Sequence, residues 1–234
     1  MSAALLHLGT LLLAVVLAGL ARRGRVTRLL SWSGYLAVLL AWQLFVTFRP
    51  SGFTWPAFAA KDLAATGLTL AVLLEIAARV FGRLPGARRR VAASLLVVLV
   101  GAALYAWEWT AAPEQSWARY AALVAVPRVN VGLSVAFAVL LLWTIRYGVP
   151  LDHVHKSVLA GLTAFLLSYA VTSDQLHLVG PVAREAAGLA FSLLYLVVLG
   201  AWARVAWIPG EIFSAFAEVE TGFWPWAPAS SHRS

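Results

Sequence analysis

The sequence predicts an all-α fold, a polytopic membrane protein built as a bundle of seven transmembrane helices. Of the 234 residues, 62% are hydrophobic and only 12% are charged, and the mean hydropathy is +0.82. A soluble domain carries about 45–50% apolar and about 25% charged residues, so the excess apolar surface indicates a lipid environment. The apolar runs do not alternate with polar residues, which favours helices over the strands of a membrane barrel.

Seven apolar stretches are each long enough to cross a bilayer, because about 30 Å of hydrocarbon takes about 20 helical residues. They consist largely of Leu, Val and Ala. Together they define a transmembrane domain over residues 1–208, and they occupy residues 3–21, 29–48, 63–82, 91–109, 117–147, 158–179 and 186–207.

Lysine and arginine residues are distributed unequally between the two sides of the predicted bundle. One side carries only Arg49, Lys61, Arg119 and Arg184. The other side carries Arg22, Arg23, Arg25, Arg28, Arg79, Arg83, Arg88, Arg89, Arg90, Arg146, Lys156, Arg204 and Arg233. Because basic loops stay in the cytoplasm, the N-terminus is predicted outside and the C-terminus inside. The formal charge of +8 comes from these short runs, so nucleic acid is not predicted as a partner.

Residues 209–234 form an amphipathic tail that begins after the last predicted span, at Pro209 and Gly210. Apolar side chains there recur at helical spacing and the glutamates lie largely on another face, which predicts a short interfacial helix. We expect this tail and the basic loops to contact a protein partner or a second copy of the chain, besides the lipid bilayer. The alternative is that the acidic tail packs against the protein's own arginine-rich loops.

Two charged side chains fall inside predicted spans, where charge is costly and usually faces the bundle interior. Glu75 lies eleven residues after Ala64, and Arg128 lies eleven after Trp117. Each is then about 16 Å along its helix, so the two are expected at similar depth as a buried pair. Arg79, one turn beyond Glu75, is the alternative partner.

Polar residues near this pair predict a cavity between the third, fifth and sixth segments. Its lining would include Asn130, Ser168, Tyr169 and Thr172. Pro127 lacks a backbone N–H and should loosen the fifth segment nearby. Small residues share the face of Glu75, which predicts that this face packs closely; they are Ala64, Gly67, Ala71, Ala78 and Gly82. The charged pair either fixes the helix arrangement or forms a ligand, proton or ion site.

Two sets of histidines are candidate ligands. Asp152, His153 and His155 lie together in a predicted cytoplasmic loop, where a metal could use them, although the same spacing is typical of solvated residues. His7 and His177 lie near the predicted outer face and are candidate ligands of a haem or a chlorophyll. No cofactor is predicted outright, and the chain has no cysteine for thiolate sites.

Catalytic motifs are absent from the sequence, including glycine-rich phosphate loops, zinc-protease motifs and serine-hydrolase motifs. The last segment also lacks the lysine that retinal would need. We therefore expect a non-enzymatic membrane protein, either a sensory or ligand-binding module or an accessory subunit of a larger membrane complex. A small transporter or proton-coupled carrier is one alternative, although no inverted repeat is visible. A haem- or pigment-binding subunit is another.

Four features resemble those of uncharacterised bacterial seven-helix membrane proteins, which occur alone or as membrane input modules of sensor proteins. The features are an arginine-rich first loop, Glu75 before Leu84-Pro85-Gly86, Arg128 early in the fifth segment, and Tyr147-Gly148-Val149-Pro150 after that segment. The resemblance implies a location in the bacterial cytoplasmic (inner) membrane. It brings no reaction and no catalytic residue.

Overall fold

The computed structural model describes residues 3–49, 54–82, 88–106, 116–149, 151–175 and 181–208. Within these ranges the chain is helical and contains no strand, which confirms the predicted all-α class. The helices are α1 (Ala3–Arg22), α2 (Leu30–Phe48), α3 (Trp55–Gly82), α4 (Arg88–Ala106), α5 (Trp117–Tyr120), α6 (Val126–Arg146), α7 (His153–Gln175) and α8 (Pro181–Trp207).

A π-helical turn joins the short helix α5 to α6. It covers Ala121–Ala125 and ends two residues before Pro127. Proline cannot donate to the carbonyl four residues earlier, and a wider turn accommodates the missing hydrogen bond. The helix is therefore loosened where the sequence predicts it.

Five helices, α1, α2, α3, α6 and α8, are long and apolar enough to cross a membrane. The described chain is therefore consistent with a multi-pass membrane protein. In α4, Ala92–Leu104 is a shorter apolar segment, and three arginines occupy the first turn of the helix. The first turn of α7 is polar as well, since it contains His153, His155 and Lys156. Seven crossings thus stay a prediction, and the predicted interfacial helix of residues 209–234 lies outside the described residues.

Arginines from the loop between α1 and α2 hold the carbonyl end of α8. Arg23 donates to the Trp207 carbonyl oxygen at 3.0 Å. Arg25 donates to the carbonyl oxygens of Val205 at 3.2 Å and Ile208 at 3.0 Å. The last carbonyls of a helix lack intrahelical donors and carry partial negative charge, so cationic side chains satisfy them. α1 and α8 therefore finish at the same end of the bundle and run parallel.

Two contacts define how α3 lies beside α5 and α6. The Arg119 guanidinium is 5.6 Å from the centroid of the Trp55 ring. Further along, the Thr66 hydroxyl lies 3.3 Å from Oδ1 of Asn130, which is 64 residues later in the chain. Trp55 and Arg119 are also 64 residues apart in the chain. Because both contacts join residues with this separation, α3 runs parallel to α5 and α6 with a constant register.

α4 runs back along α6. Residues 83–87 connect α3 to α4 and can span at most about 22 Å, so α4 begins near the end of α3. A Cβ atom at Gly132 would overlap the Cβ of Ala102 and lie 3.0 Å from its Cα. Small residues permit this close approach of two helices. Arg88 lies fourteen residues before Ala102 and Arg146 fourteen after Gly132, so both arginines are at one level.

Basic residues of the described ranges concentrate at one end of the bundle, where α1, α3, α6 and α8 finish and α2, α4 and α7 begin. We call it the arginine-rich end, and its basic residues are Arg22, Arg23, Arg25, Arg28, Arg79, Arg88, Arg89, Arg90, Arg146, Lys156 and Arg204. The basic residues described at the opposite end are Arg49, Lys61, Arg119 and Arg184.

The face of α3 that packs into the bundle differs from the predicted one. Ala64 and Gly67 are exposed, and a Cβ atom at Gly67 would meet nothing within 4 Å. Larger aliphatic side chains gain more dispersion contact than small ones, and they occupy the interior instead. Glu75 consequently lies at the edge of the packed face, whose buried residues are Thr69, Val72, Leu73, Ile76, Ala77 and Val80.

Candidate functional site

A buried aspartate–histidine pair lies at the arginine-rich end. Asp152 immediately precedes α7, and its Oδ1 accepts a hydrogen bond from the backbone N–H of His155 at 2.7 Å. This is an N-cap contact, which satisfies one of the free donors at a helix start. The same oxygen lies 2.5 Å from Nδ1 of the His155 ring. Because only 5% of His155 is exposed, one carboxylate both starts α7 and orients a buried imidazole.

The Asp152 carboxylate is the negative centre of this region. Burial alone would raise its pKa, but hydrogen bonds from His155 and the charge of Arg79 outweigh burial, so the pKa lies below its ordinary value. Burial lowers the pKa of Arg25, and the Asp152 carboxylate opposes that shift. Arg25 and Arg79 thus both act on Asp152, although they come from different elements.

Arg79 connects this pair to α3 and to the first loop. Its guanidinium donates to the carbonyl oxygen of Arg28 at 3.0 Å and lies 3.6 Å from the Glu75 carboxylate. Arg25, as described above, holds the end of α8. Hydrogen bonds of Arg79 and Arg25 therefore tie the α1–α2 loop to the end of α3 and to the end of α8, and both positive charges also interact with Asp152 at the start of α7.

At the arginine-rich end, three buried polar atoms have no hydrogen-bond partner among the described residues. They are Nε2 of His155, Nε1 of Trp32 and Oγ of Ser33. Trp32 packs edge-to-face on Trp202, with ring centroids 5.5 Å apart. The Trp202 indole in turn donates to the Ser157 carbonyl oxygen at 3.0 Å, next to the first turn of α7. The interior at the arginine-rich end is thus polar as well as charged.

The predicted pairing of Glu75 with Arg128 does not match this geometry. The register of α3 and α6 puts Glu75 level with residue 139, eleven residues or about 16 Å from Arg128. The predicted third segment begins at residue 63, whereas α3 begins eight residues earlier, at Trp55. Glu75 pairs instead with Arg79, the alternative partner, and the Glu75 side chain is 23% exposed.

The residues predicted to line a cavity have separate neighbours. Asn130 contacts Thr66 of α3. Tyr169 is half-buried on α7, with its ring centroid 6.0 Å from that of Phe191 on α8. Ser168 is half-buried on the same helix, and the side chain of Thr172 lies outside the described part of the structure.

A polar link between α1, α2 and α8 was not anticipated as a unit. The Thr10 hydroxyl donates to Oε1 of Gln43 at 2.8 Å, and Nε2 of Gln43 donates to the Tyr195 hydroxyl at 3.3 Å. An amide inside an apolar helix is the one signal that could have suggested it, because such groups seek partners on neighbouring helices. The rotation of each helix, which brings the three together, is not visible in the sequence.

The candidate ligand histidines are dispersed. His7 and His153 are exposed, whereas His155 is buried against Asp152. His177 lies outside the described residues. Among the residues that are described, no three His, Asp or Glu side chains converge as a metal site.

Comparison of the chain with protein-family models, with curated protein sequences and with solved structures gives no match.

Proposed function

We propose that the chain crosses the bacterial cytoplasmic membrane seven times, with its N-terminus outside and the arginine-rich end in the cytoplasm. The shared end of α1, α3, α6 and α8 supports an odd number of crossings. The concentration of basic residues at that end supports the orientation, because lysine and arginine are retained on the cytoplasmic side. The exposed leucines along α1, α3 and α6 are compatible with lipid contact.

Within that membrane we propose a non-enzymatic role, as a sensory module or as an accessory subunit of a larger complex. The observation that carries this proposal is the set of hydrogen bonds and charges that meet at the arginine-rich end around Asp152. Arg79 and Arg25 act on Asp152 from α3 and from the first loop, and Arg25 also holds α8. Because three helix ends and the α1–α2 loop meet in this way, a ligand that favours a different position of one helix would change the surface available to a cytoplasmic partner.

Purification of the full chain from its native membrane in a mild detergent tests this role. Light scattering and native mass spectrometry should detect an assembly larger than the monomer, or a small molecule that stays bound. Asp152→Asn, which keeps an N-cap acceptor but removes the charge, should reduce the retained partner or ligand. Lys156→Ala, an exposed change in the same helical turn, is the matched control. A monodisperse wild-type monomer carrying neither partner nor ligand contradicts the proposal.

A proton-coupled carrier is the second candidate, and the Glu75–Arg79 pair favours it. Both side chains are partly buried within α3, and ionisable groups within membrane helices are frequent sites of ion or proton movement. Flux into liposomes should then be lost in Glu75→Gln and retained in wild type. Equal flux in both proteins, or flux in neither, removes this candidate.

A further inference from the structure

An open hollow lies on α6 at the arginine-rich end. Its volume is about 490 Å³, and it is lined by Val139, Leu142, Trp143, Arg146 and Tyr147. None of these side chains is acidic. The Trp143 and Tyr147 rings are stacked, with centroids 5.1 Å apart and planes inclined by 4°. The hollow therefore combines one guanidinium, a rigid aromatic pair and aliphatic walls.

This hollow opens on the side of α6 that faces α4. Val139, Trp143 and Arg146 follow Gly132 by seven, eleven and fourteen residues, which puts all four on one helix face. Gly132 is the point where α6 touches Ala102 of α4. The hollow is consequently the continuation of the α4–α6 contact towards the arginine-rich end.

The first turn of α4 adds positive charge at the same level. Since Arg88 is level with Arg146, the next two residues, Arg89 and Arg90, lie within about 3 Å of that level along the helix axis. Both of their side chains are exposed, and so is that of Arg146. Three exposed guanidinium groups thus lie at the level of a hollow whose walls are apolar and aromatic, and Arg146 lines that hollow.

We propose that this hollow binds the headgroup of an anionic phospholipid, with Arg146 on the phosphate and the acyl chains against Val139 and Leu142. Guanidinium groups bind phosphate oxygens through paired, charge-assisted hydrogen bonds. Aromatic rings favour the headgroup zone of the bilayer, and basic clusters between helices on the cytoplasmic side select anionic lipids. The inference rests on the proposed membrane location and orientation.

Lipid titration of the delipidated full chain tests the site. Native mass spectrometry should detect tighter binding of phosphatidylglycerol than of phosphatidylcholine to wild type. Arg146→Ala should weaken phosphatidylglycerol binding about fivefold to tenfold, on the order expected for one cation at a lipid surface. Arg204→Ala, an exposed arginine in the last turn of α8, should change it less than about twofold. Arg146→Lys keeps the charge without the paired geometry and should be intermediate, which covers the case that the alanine variant fails to fold.

Each other outcome overturns the site. Equal binding of both lipids to wild type, or equal losses in Arg146→Ala and Arg204→Ala, would mean that only general charge attraction acts. Inorganic phosphate that binds as tightly as the lipid would mean a simple anion site. Flotation with phosphatidylcholine vesicles separately tests membrane residence, because it does not depend on Arg146. A chain that floats but shows no preference for phosphatidylglycerol retains the proposed location and loses the lipid site.

Discussion

A single oxygen atom, Oδ1 of Asp152, accepts the backbone N–H of His155 at 2.7 Å and lies 2.5 Å from Nδ1 of the same residue. The Asp152 carboxylate therefore caps the start of α7 and also places a negative charge at the arginine-rich end. The charges of Arg79 in α3 and of Arg25 in the α1–α2 loop also interact with this carboxylate.

Asp152→Ala should destabilise the chain by about 1–3 kcal/mol, because it removes the N-cap acceptor and leaves a buried imidazole N–H unpaired. Asp152→Asn should cost less, since an amide oxygen still accepts the backbone N–H. Thermal unfolding in detergent, followed by tryptophan fluorescence, measures both. Lys156→Ala serves as the control, and an Asp152→Ala variant as stable as that control contradicts the burial of the pair.

The stability that Asp152 contributes should depend on acidic pH. Its pKa in the folded chain lies below the ordinary value, so folding favours the ionised form. The contribution is then complete above the unfolded-state pKa of about 3.9 and is lost as the pH falls through the folded-state pKa. The difference in melting temperature between wild type and Asp152→Asn should be constant above about pH 5 and shrink below about pH 4. If the melting temperatures of the two proteins change with pH in the same way down to the lowest pH, the ionised form of Asp152 does not contribute to stability.

Gly132→Ala should separate α4 from α6, because the added Cβ would overlap Ala102. We expect a loss of about 1–3 kcal/mol, as for other overpacked interiors. Gly101→Ala, where the new Cβ meets nothing within 4 Å, should have little effect or stabilise α4 slightly. The double variant Gly132→Ala with Ala102→Gly should recover part of the loss. An effect equal to that of Gly101→Ala would refute the close approach of the two helices.

Arg79→Ala should destabilise the bundle more than Glu75→Ala. Glu75 contributes a partly exposed pair one turn away, which is typically a few tenths of a kcal/mol. Arg79 contributes that pair, the hydrogen bond to the Arg28 carbonyl and the favourable charge next to Asp152, so its removal should cost about 1 kcal/mol or more. Melting temperatures of the two variants decide the order. A larger loss of stability for Glu75→Ala would contradict this order and favour the sequence-based prediction that Glu75 belongs to a buried charged pair.

The helical class and most helix ends could be predicted from the sequence, because lipid leaves the backbone little alternative to helix. The start of α3 could not. The predicted segment starts at residue 63, after Lys61 and Asp62, whereas α3 begins at Trp55. Lys61 pairs with Asp62 and lies 4.5 Å from the centroid of the Phe58 ring, so both charged residues are accommodated within the helix. That difference moved Glu75 away from the level of Arg128 and towards the arginine-rich end.

The start of α7 was also predicted late, at residue 158 rather than at His153, so Asp152 and His155 were interpreted as loop residues. An aspartate three residues before a histidine is compatible with an N-cap, and this signal could have extended the helix. The proximity of Arg25 and Arg79 to Asp152 could not be inferred, because it depends on which helices are neighbours and how each is rotated.

The sidedness of the arginine-rich end is the central claim, and cysteine accessibility tests it most directly because the chain has no cysteine of its own. Thr27→Cys introduces a thiol at an exposed position of the arginine-rich end, and Ser116→Cys introduces one at an exposed position of the opposite end. In intact cells, a membrane-impermeant maleimide should label the residue-116 variant at once and the residue-27 variant only after permeabilisation. Labelling of the residue-27 variant in intact cells would contradict the proposed orientation.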